Sequence, residues 1–334
     1  MSTSNSGGRV GDAGPGQPVP SIDLRPWFTG DARARAGVAA QVDAALQRSG
    51  FTLVTGHGVA PEARAAVRAA ARAFFALPTE VKQRYAATVG GRGWLPTGVE
   101  ANGYAEGTET PPDLKETFAI GADQQTGDPV VDAAWFLPNV WPAEVPALQA
   151  TLSEYQAAMR TLADQLLEVC AAALGLPATF FAPRTDHPTW TLNLNWYPPM
   201  GVVGEPEEGQ YRIGPHTDFG TLTLLDREYG SGGLQVFTTD EEWVDAPYDP
   251  DAFTINVGDL LARWTGDRWL SARHRVLPPQ ADAPDEDLVS LVYFYEANHD
   301  AVVEALEPPI GRTVHAPVVC GDFIRERLDA ITIG

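Results

Sequence analysis

The sequence predicts an α+β protein in which helices come first and an antiparallel sheet barrel follows, and three observations carry that reading. Glu144 to Leu174 places Leu148, Leu152, Tyr155, Met159, Leu162 and Leu166 at three- and four-residue spacings, the period of one helical face, and Gly175 ends the run. Asp31 to Arg48 and Pro61 to Phe75 show the same period in the N-terminal half, the first stopped by Gly50 and the second opened by its proline. From Thr189 onward, short apolar runs alternate with glycine-rich turns, the pattern of strands. Helices gathered in one part of the chain and strands in another suit a sheet backed by helices.

Taken in order, residues 1–18 are Ser-, Gly- and Pro-rich and are expected to form a flexible tail, with the fold starting at Val19. After the Asp31–Arg48 helix, Phe51 to Val54 reads as a buried strand closed by Gly56-His-Gly58, which makes His57 a turn residue. The arginines of Pro61–Phe75 are assigned to a wet helical face, and Pro78 to Arg84 begins another helix. Val89 to Asp113 is irregular and sets aromatic residues among glycines, as a cover over a pocket would. Asp113 to Gly121 reads as a strand, the Glu144–Leu174 stripe as core, and Pro177 to Phe181 as a short helix. Hairpin turns are expected at Gly230-Ser-Gly-Gly233 and Thr265-Gly-Asp-Arg268. No internal repeat and no break divides the chain, so 19–334 is read as a single domain.

A chain of 334 residues with 44% hydrophobic content builds a sizeable core. Its 44 acidic against 23 basic residues leave a net charge of −21, which argues against nucleic acid or an anionic membrane surface as partner. No signal peptide is recognised and no apolar run approaches the roughly 18 residues of a membrane span. Cys170 and Cys320 lie far apart, and Cys170 falls within the apolar helical pattern, so a reducing cytoplasm and a monomer are expected.

The chemistry concentrates in Gly214-Pro-His-Thr-Asp-Phe-Gly-Thr-Leu-Thr-Leu-Leu-Asp226. In an extended segment residues i and i+2 share a face, so His216 and Asp218 present an imidazole and a carboxylate to one ion while Thr217 points away. His274, 56 residues beyond Asp218, is the candidate third ligand. Two histidines and a carboxylate on one side of an ion form the facial triad suited to Fe(II) and O2 chemistry. Asp259 precedes His274 at the spacing of a returning hairpin and is read as holding a turn.

Together these pieces resemble the isopenicillin N synthase-like branch of the Fe(II)/2-oxoglutarate-dependent dioxygenases. The resemblance runs through Val19-Pro-Ser-Ile-Asp-Leu24, Ser49-Gly-Phe-Thr-Leu-Val-Thr-Gly-His-Gly-Val59, Phe74-Phe-Ala-Leu-Pro78, Leu194-Asn-Trp-Tyr-Pro-Pro199, the His-x-Asp stretch, Asn256-Val-Gly-Asp259 and His274-Arg-Val276. It implies a double-stranded β-helix (jelly roll) over about 189–300 and a family N-terminal region over 19–125. It also implies Fe(II) on His216, Asp218 and His274, with 2-oxoglutarate decarboxylated to succinate as O2 is cleaved and a small-molecule substrate hydroxylated, desaturated or cyclised. Phe219 and Leu222 would wall the site, and Trp94, Tyr104, Trp196, Tyr293 and Tyr295 are candidates to shape the substrate pocket. Tyr197 matches the family tyrosine at the cosubstrate carboxylate, with Ser290 and Asn195 beside it.

One departure stands out. The family's Arg-x-Ser, which grips the far carboxylate of 2-oxoglutarate, reads Leu288-Val-Ser290 here. A buried carboxylate without a cation costs several kcal/mol, so either another base substitutes, with Arg212, Arg263, Arg273 and Arg275 near in sequence, or 2-oxoglutarate is not held in the usual way. Two alternatives are therefore kept: a 2-oxoglutarate-independent oxidase like isopenicillin N synthase, and a non-catalytic jelly-roll binding protein.

Overall fold

Strands from both halves of the chain stack into two facing layers in a computed structural model that describes residues 17–103 and 110–331. The larger layer has eight strands in the order β1 (Ser21–Asp23), β2 (Phe51–Thr55), β10 (Phe253–Val257), β7 (Leu222–Asp226), β12 (Leu288–Tyr295), β5 (Trp190–Tyr197), β4 (Glu116–Gly121) and β3 (Gly93–Leu95). The smaller layer runs β6 (Ile213–His216), β11 (His274–Val276), β8 (Leu234–Phe237) and β9 (Trp243–Asp245). Among the described strands of these two layers, all ladders are antiparallel except β1 with β2. From β5 to β12 the chain passes back and forth between the layers, with only the consecutive strands β8 and β9 staying in one, which is the expected jelly roll.

β5 and β12 form the spine of the large layer and pair over their full length, Leu288 opposite Tyr197 and Tyr295 opposite Trp190. Strand alternation gives this layer two different faces. Leu192, Leu194, Leu222, Leu224, Leu291 and Tyr293 point to the helices and belong to the main core. The helix Ala147–Ala173 braces that face with Leu148, Leu152, Tyr155, Met159 and Leu162, all at most 1% exposed. Helix Ala32–Ser49 packs beside it, started by the Asp31 carboxylate accepting from the Ala34 N–H and ended by Gly50 at a left-handed φ of 68°. The other face of the layer carries Asn195, Tyr197, Thr223, Ser290 and Phe294 toward the smaller layer, where the cavities lie.

Several expectations need correction. Gly230–Gly233 and Thr265–Arg268 are not hairpin turns, because the first links β7 to β8 in the opposite layer and the second follows a short helix, Asp259–Trp264. The chain makes isolated turns rather than a helix at Pro177–Phe181, and a 3-10 turn follows at Ala182–Arg184. A C-terminal helix, Cys320–Ile331, occurs where strands were expected. The arginines of helix Pro61–Phe75 do not mark a wet face: Arg64, Arg68 and Arg72 sit four apart and turn toward the large layer. There Arg64 and Arg68 meet the fully buried Asp226, at 2.6 Å for Arg64, and Arg72 meets Glu228 at 2.6 Å. The expected tail lies almost wholly outside the described residues, as does Tyr104.

Candidate active site

β6 and β11 lie side by side in a register that sets His216 directly opposite His274, with ring centroids 4.2 Å apart. Each imidazole is aimed by its own strand. His216 Nδ1 lies 2.8 Å from the Gly214 carbonyl and His274 Nδ1 3.1 Å from the Ala272 carbonyl, so Nδ1 carries the proton and donates. Both Nε2 lone pairs are thereby left free, the tautomer that binds metal. Asp218 lies two residues beyond the end of β6 in the link to β7, not on the strand, yet it still converges. Its Oδ1 is 3.6 Å from His216 Nε2 and 3.7 Å from His274 Nε2.

The second carboxylate oxygen is occupied. Asp218 Oδ2 accepts from Thr223 Oγ1 at 2.6 Å and from Asn256 Nδ2 at 2.7 Å, and both donors come from the large layer. Oδ1 alone faces the imidazoles. The three side chains are 12%, 6% and 9% exposed, so little water screens them. Burial alone would raise the Asp218 pKa, but His274 and His216 beside it hold the carboxyl well below its usual range. Burial, with His216 beside it, pushes His274 down to about 4; burial works downward at His216 too, but there the Asp218 carboxylate, the Gly214 carbonyl and Asp113 together outweigh it and raise the pKa. Two neutral Nε2 donors and one carboxylate oxygen, each fixed by a second hydrogen bond, suit a divalent ion of Fe(II) type.

Two cavities meet at these residues. The larger, of about 200 Å³, reaches out past Phe219, Phe294 and Trp190 to Arg92 and the C-terminal helix residues Ile324 and Leu328. The smaller, of about 70 Å³, runs between the layers and is lined by Tyr197, Ser290, Leu288 and Arg227. Asn195 borders both cavities, and its Oδ1 accepts from Thr117 Oγ1 at 3.0 Å. Burial raises the Tyr197 pKa, so its hydroxyl, beside Ser290 and Asn195, stays a donor.

The cover expected from Val89–Asp113 is present in part, since Gly90, Arg92, Leu95, Glu100 and Asn102 line the larger cavity. Among the aromatic residues named from sequence, Trp94, Trp196, Tyr293 and Tyr295 line neither cavity. They pack on the helical side: Trp196 stacks on Phe75 at 5.6 Å and Trp94 Nε1 donates to Glu116. Leu222 likewise belongs to the core, while Phe219 does wall the site. His57 remains a turn residue, with Nε2 3.0 Å from the Asp251 carbonyl, and Asp259 starts a helix and accepts from Ser271 Oγ. Sequence reading missed the Asp218 partners Thr223 and Asn256, and the cavity residues Arg92, Arg227 and Glu296. Period two along β7 and β10 was the available signal for Thr223 and Asn256.

Comparison with known families decides what this geometry belongs to. Residues 19–144 match the family described as non-haem dioxygenase in morphine synthesis N-terminal, and residues 188–297 match the 2OG-Fe(II) oxygenase superfamily. A relative named Validamycin A dioxygenase, from Streptomyces hygroscopicus subsp. limoneus, is 44% identical over 302 residues, covering 90% of this chain and 83% of that one. The chain belongs to the 2OG-Fe(II) oxygenase superfamily.

The 2-oxoglutarate-dependent dioxygenase tropC of Talaromyces stipitatus is 30% identical over 331 residues, 95% of this oxygenase and 96% of its relative. A full-length Neurospora crassa protein solved with alpha-KG (2-oxoglutarate) and thymine superposes with a TM-score of 0.81 at 28% identity, covering 93% and 96% of the two chains. The oxygenase is therefore an Fe(II)- and 2-oxoglutarate-dependent enzyme using O2 and acting on small metabolites. That decides against both the 2-oxoglutarate-independent and the non-catalytic readings. Among the described residues, no helix is long and apolar enough to cross a membrane.

Proposed function

We propose that His216 Nε2, Asp218 Oδ1 and His274 Nε2 hold the catalytic Fe(II), that 2-oxoglutarate lies in the smaller cavity against Tyr197, Ser290 and Asn195, and that the substrate enters through the larger one. The observation that carries this reading is a cluster of three candidate ligand atoms whose side chains are already fixed by second hydrogen bonds, lining the smaller cavity together and facing the larger one through His216 and Asp218. With Fe(II), 2-oxoglutarate and O2 in place, the chemistry supplied is oxidative decarboxylation to succinate and CO2 with oxidation of a substrate C–H bond. The chain's own work is positional. Gly214 and Ala272 fix the imidazoles, Thr223 and Asn256 fix the carboxylate, and Phe219, Trp190 and Phe294 exclude water from the reacting centre.

A polar substrate suits the larger cavity. Asn193 Oδ1 and Arg92 Nε line it region by region, and both are buried without a hydrogen-bond partner among the described residues. Substrate polar groups would satisfy them. The name of the 44% identical relative makes validamycin A the first compound to assay, with hydroxylation, desaturation or ring closure as the outcomes to distinguish. Two buried free cysteines fit a reducing cytoplasm.

The test is anaerobic: Fe(II)-loaded protein titrated with 2-oxoglutarate should develop the weak visible charge-transfer absorption of a 2-oxo acid chelated to iron. Asp218→Ala should retain the fold by circular dichroism yet lose both that absorption and succinate formation. A variant that keeps both would overturn the ligand assignment.

A further inference from the structure

Leu288 leaves a charge problem at the far end of the smaller cavity. 2-Oxoglutarate carries a second carboxylate there, and the leucine side chain, received by the close approach of Gly230, offers it no partner. None of the four arginines singled out by sequence proximity lines the cavity. Arg212 lies 5.8 Å from the Tyr197 ring centroid with Nη1 donating to Glu286 at 2.7 Å, and although its Nε and Nη2 are unpartnered among the described residues it stays outside the cavity lining. Arg275 donates to Gln235 and Tyr211, Arg263 donates to the Ala316 carbonyl, and Arg273 lies over the Phe237 ring.

Arg227 is different. It follows directly on β7, where Asp226 stands opposite Leu291, so the antiparallel register brings Arg227 level with Ser290. Period two puts it on the side of Thr223 and Leu225, facing the cavity, while Asp226 faces the helices. It is the one arginine or lysine lining this cavity among the described residues. Its Nη2 donates to the Ala246 carbonyl at 2.9 Å and to the Pro247 carbonyl, which fixes the guanidinium without neutralising it. Glu228 borders the same cavity but is held by Arg72 at 2.6 Å and by the Val289 N–H at 2.8 Å. Burial lowers the Arg227 pKa to about 10, so it remains a cation at neutral pH.

Building on the iron and 2-oxoglutarate placement above, we infer that Arg227 receives the far carboxylate of 2-oxoglutarate, doing from β7 what the family arginine does from the position Leu288 occupies. Position 288 opens β12, and Arg227 continues its antiparallel neighbour β7 by one residue. A fork reaching across the ladder to the level of Ser290 thus meets the same carboxylate that a β12 arginine would meet along it.

The experiment follows the anaerobic charge-transfer absorption of the full chain loaded with Fe(II), titrated separately with 2-oxoglutarate and with 2-oxopentanoate. The second compound keeps the chelating end and carries a methyl group in place of the far carboxylate. Arg227→Gln should weaken 2-oxoglutarate binding on the order of 100-fold and leave 2-oxopentanoate nearly unchanged, erasing the native preference. Adding Leu288→Arg to that variant should restore the preference. If Arg227→Gln does not fold, Arg227→Lys serves, because a point charge in place of the fork should weaken 2-oxoglutarate selectively. A folded variant with an unaltered preference, or one that loses both compounds equally, would overturn the inference while leaving the iron site standing. Native protein that binds iron but gives no absorption with either compound would instead overturn the proposed function.

Discussion

Asp218 shows how one carboxylate is divided between two tasks. Oδ1 faces the imidazoles, while Thr223 and Asn256 saturate Oδ2, so the orientation of the group is set before any ion arrives. Removing one such support costs metal sites about 10- to 100-fold in affinity, and Asn256→Ala should lower Fe(II) affinity within that range, read by competition with a chelating dye. Glu296, on the wall of the larger cavity, gives a second prediction. Burial first, and the Asp218 charge second, raise its pKa from 4.5 to about 8. Because the folded state binds the proton more tightly, its stabilisation is complete below about 4.5 and is lost as pH climbs toward about 8. Glu296→Gln cannot titrate, so the native melting temperature should fall relative to that variant across this window; parallel curves would refute the shift. At this scale His216, Asp218 and His274 were legible as a converging group, although the strand-period argument holds only for the two histidines on β6 and β11, since Asp218 converges from the link after β6. Arg227 was not, because it sits past the end of β7 in Asp226-Arg-Glu-Tyr-Gly230, which reads as the start of a loop.

Helix Pro61–Phe75 was placed to the residue by its proline and its apolar period, but the partner of its arginine row was invisible. That row meets Asp226, some 160 positions away, where a buried acid at the end of a strand carried no local signal of a cationic partner. Arg64 and Asp226 side chains are 7% and 0% exposed. Asp226→Ala would strand guanidinium charge inside the protein, and it should cost about 3–5 kcal/mol in urea unfolding. A loss near zero would mean that the helix can turn its arginines to water. The C-terminal helix Cys320–Ile331 was overlooked although Phe323, Ile324 and Leu328 hold helical spacing, because strands dominate the preceding stretch. Glycine-rich turns misled for another physical reason. The same residues that close a hairpin also let a strand cross to the facing layer, and only pairing partners distinguish the two.

Across the molecule, the layers are tied together at the three proposed ligands. Both imidazoles ride on neighbouring strands of the small sheet, and the carboxylate is tethered by Thr223 and Asn256 to the large one. An ion gripping all three therefore acts as a rivet through the sandwich: shear between the sheets would change its bite, and its bite resists shear. Saturating Mn(II), a redox-quiet substitute for iron, should stabilise the fold by about 2.7 kcal/mol at a hundredfold excess over its dissociation constant, seen as a raised melting temperature. Asp218→Ala should erase that gain. The residues that would carry out the oxidation would then also fasten the two halves of the barrel, so demetallation should loosen the smaller sheet first, as faster amide exchange along His274–Val276.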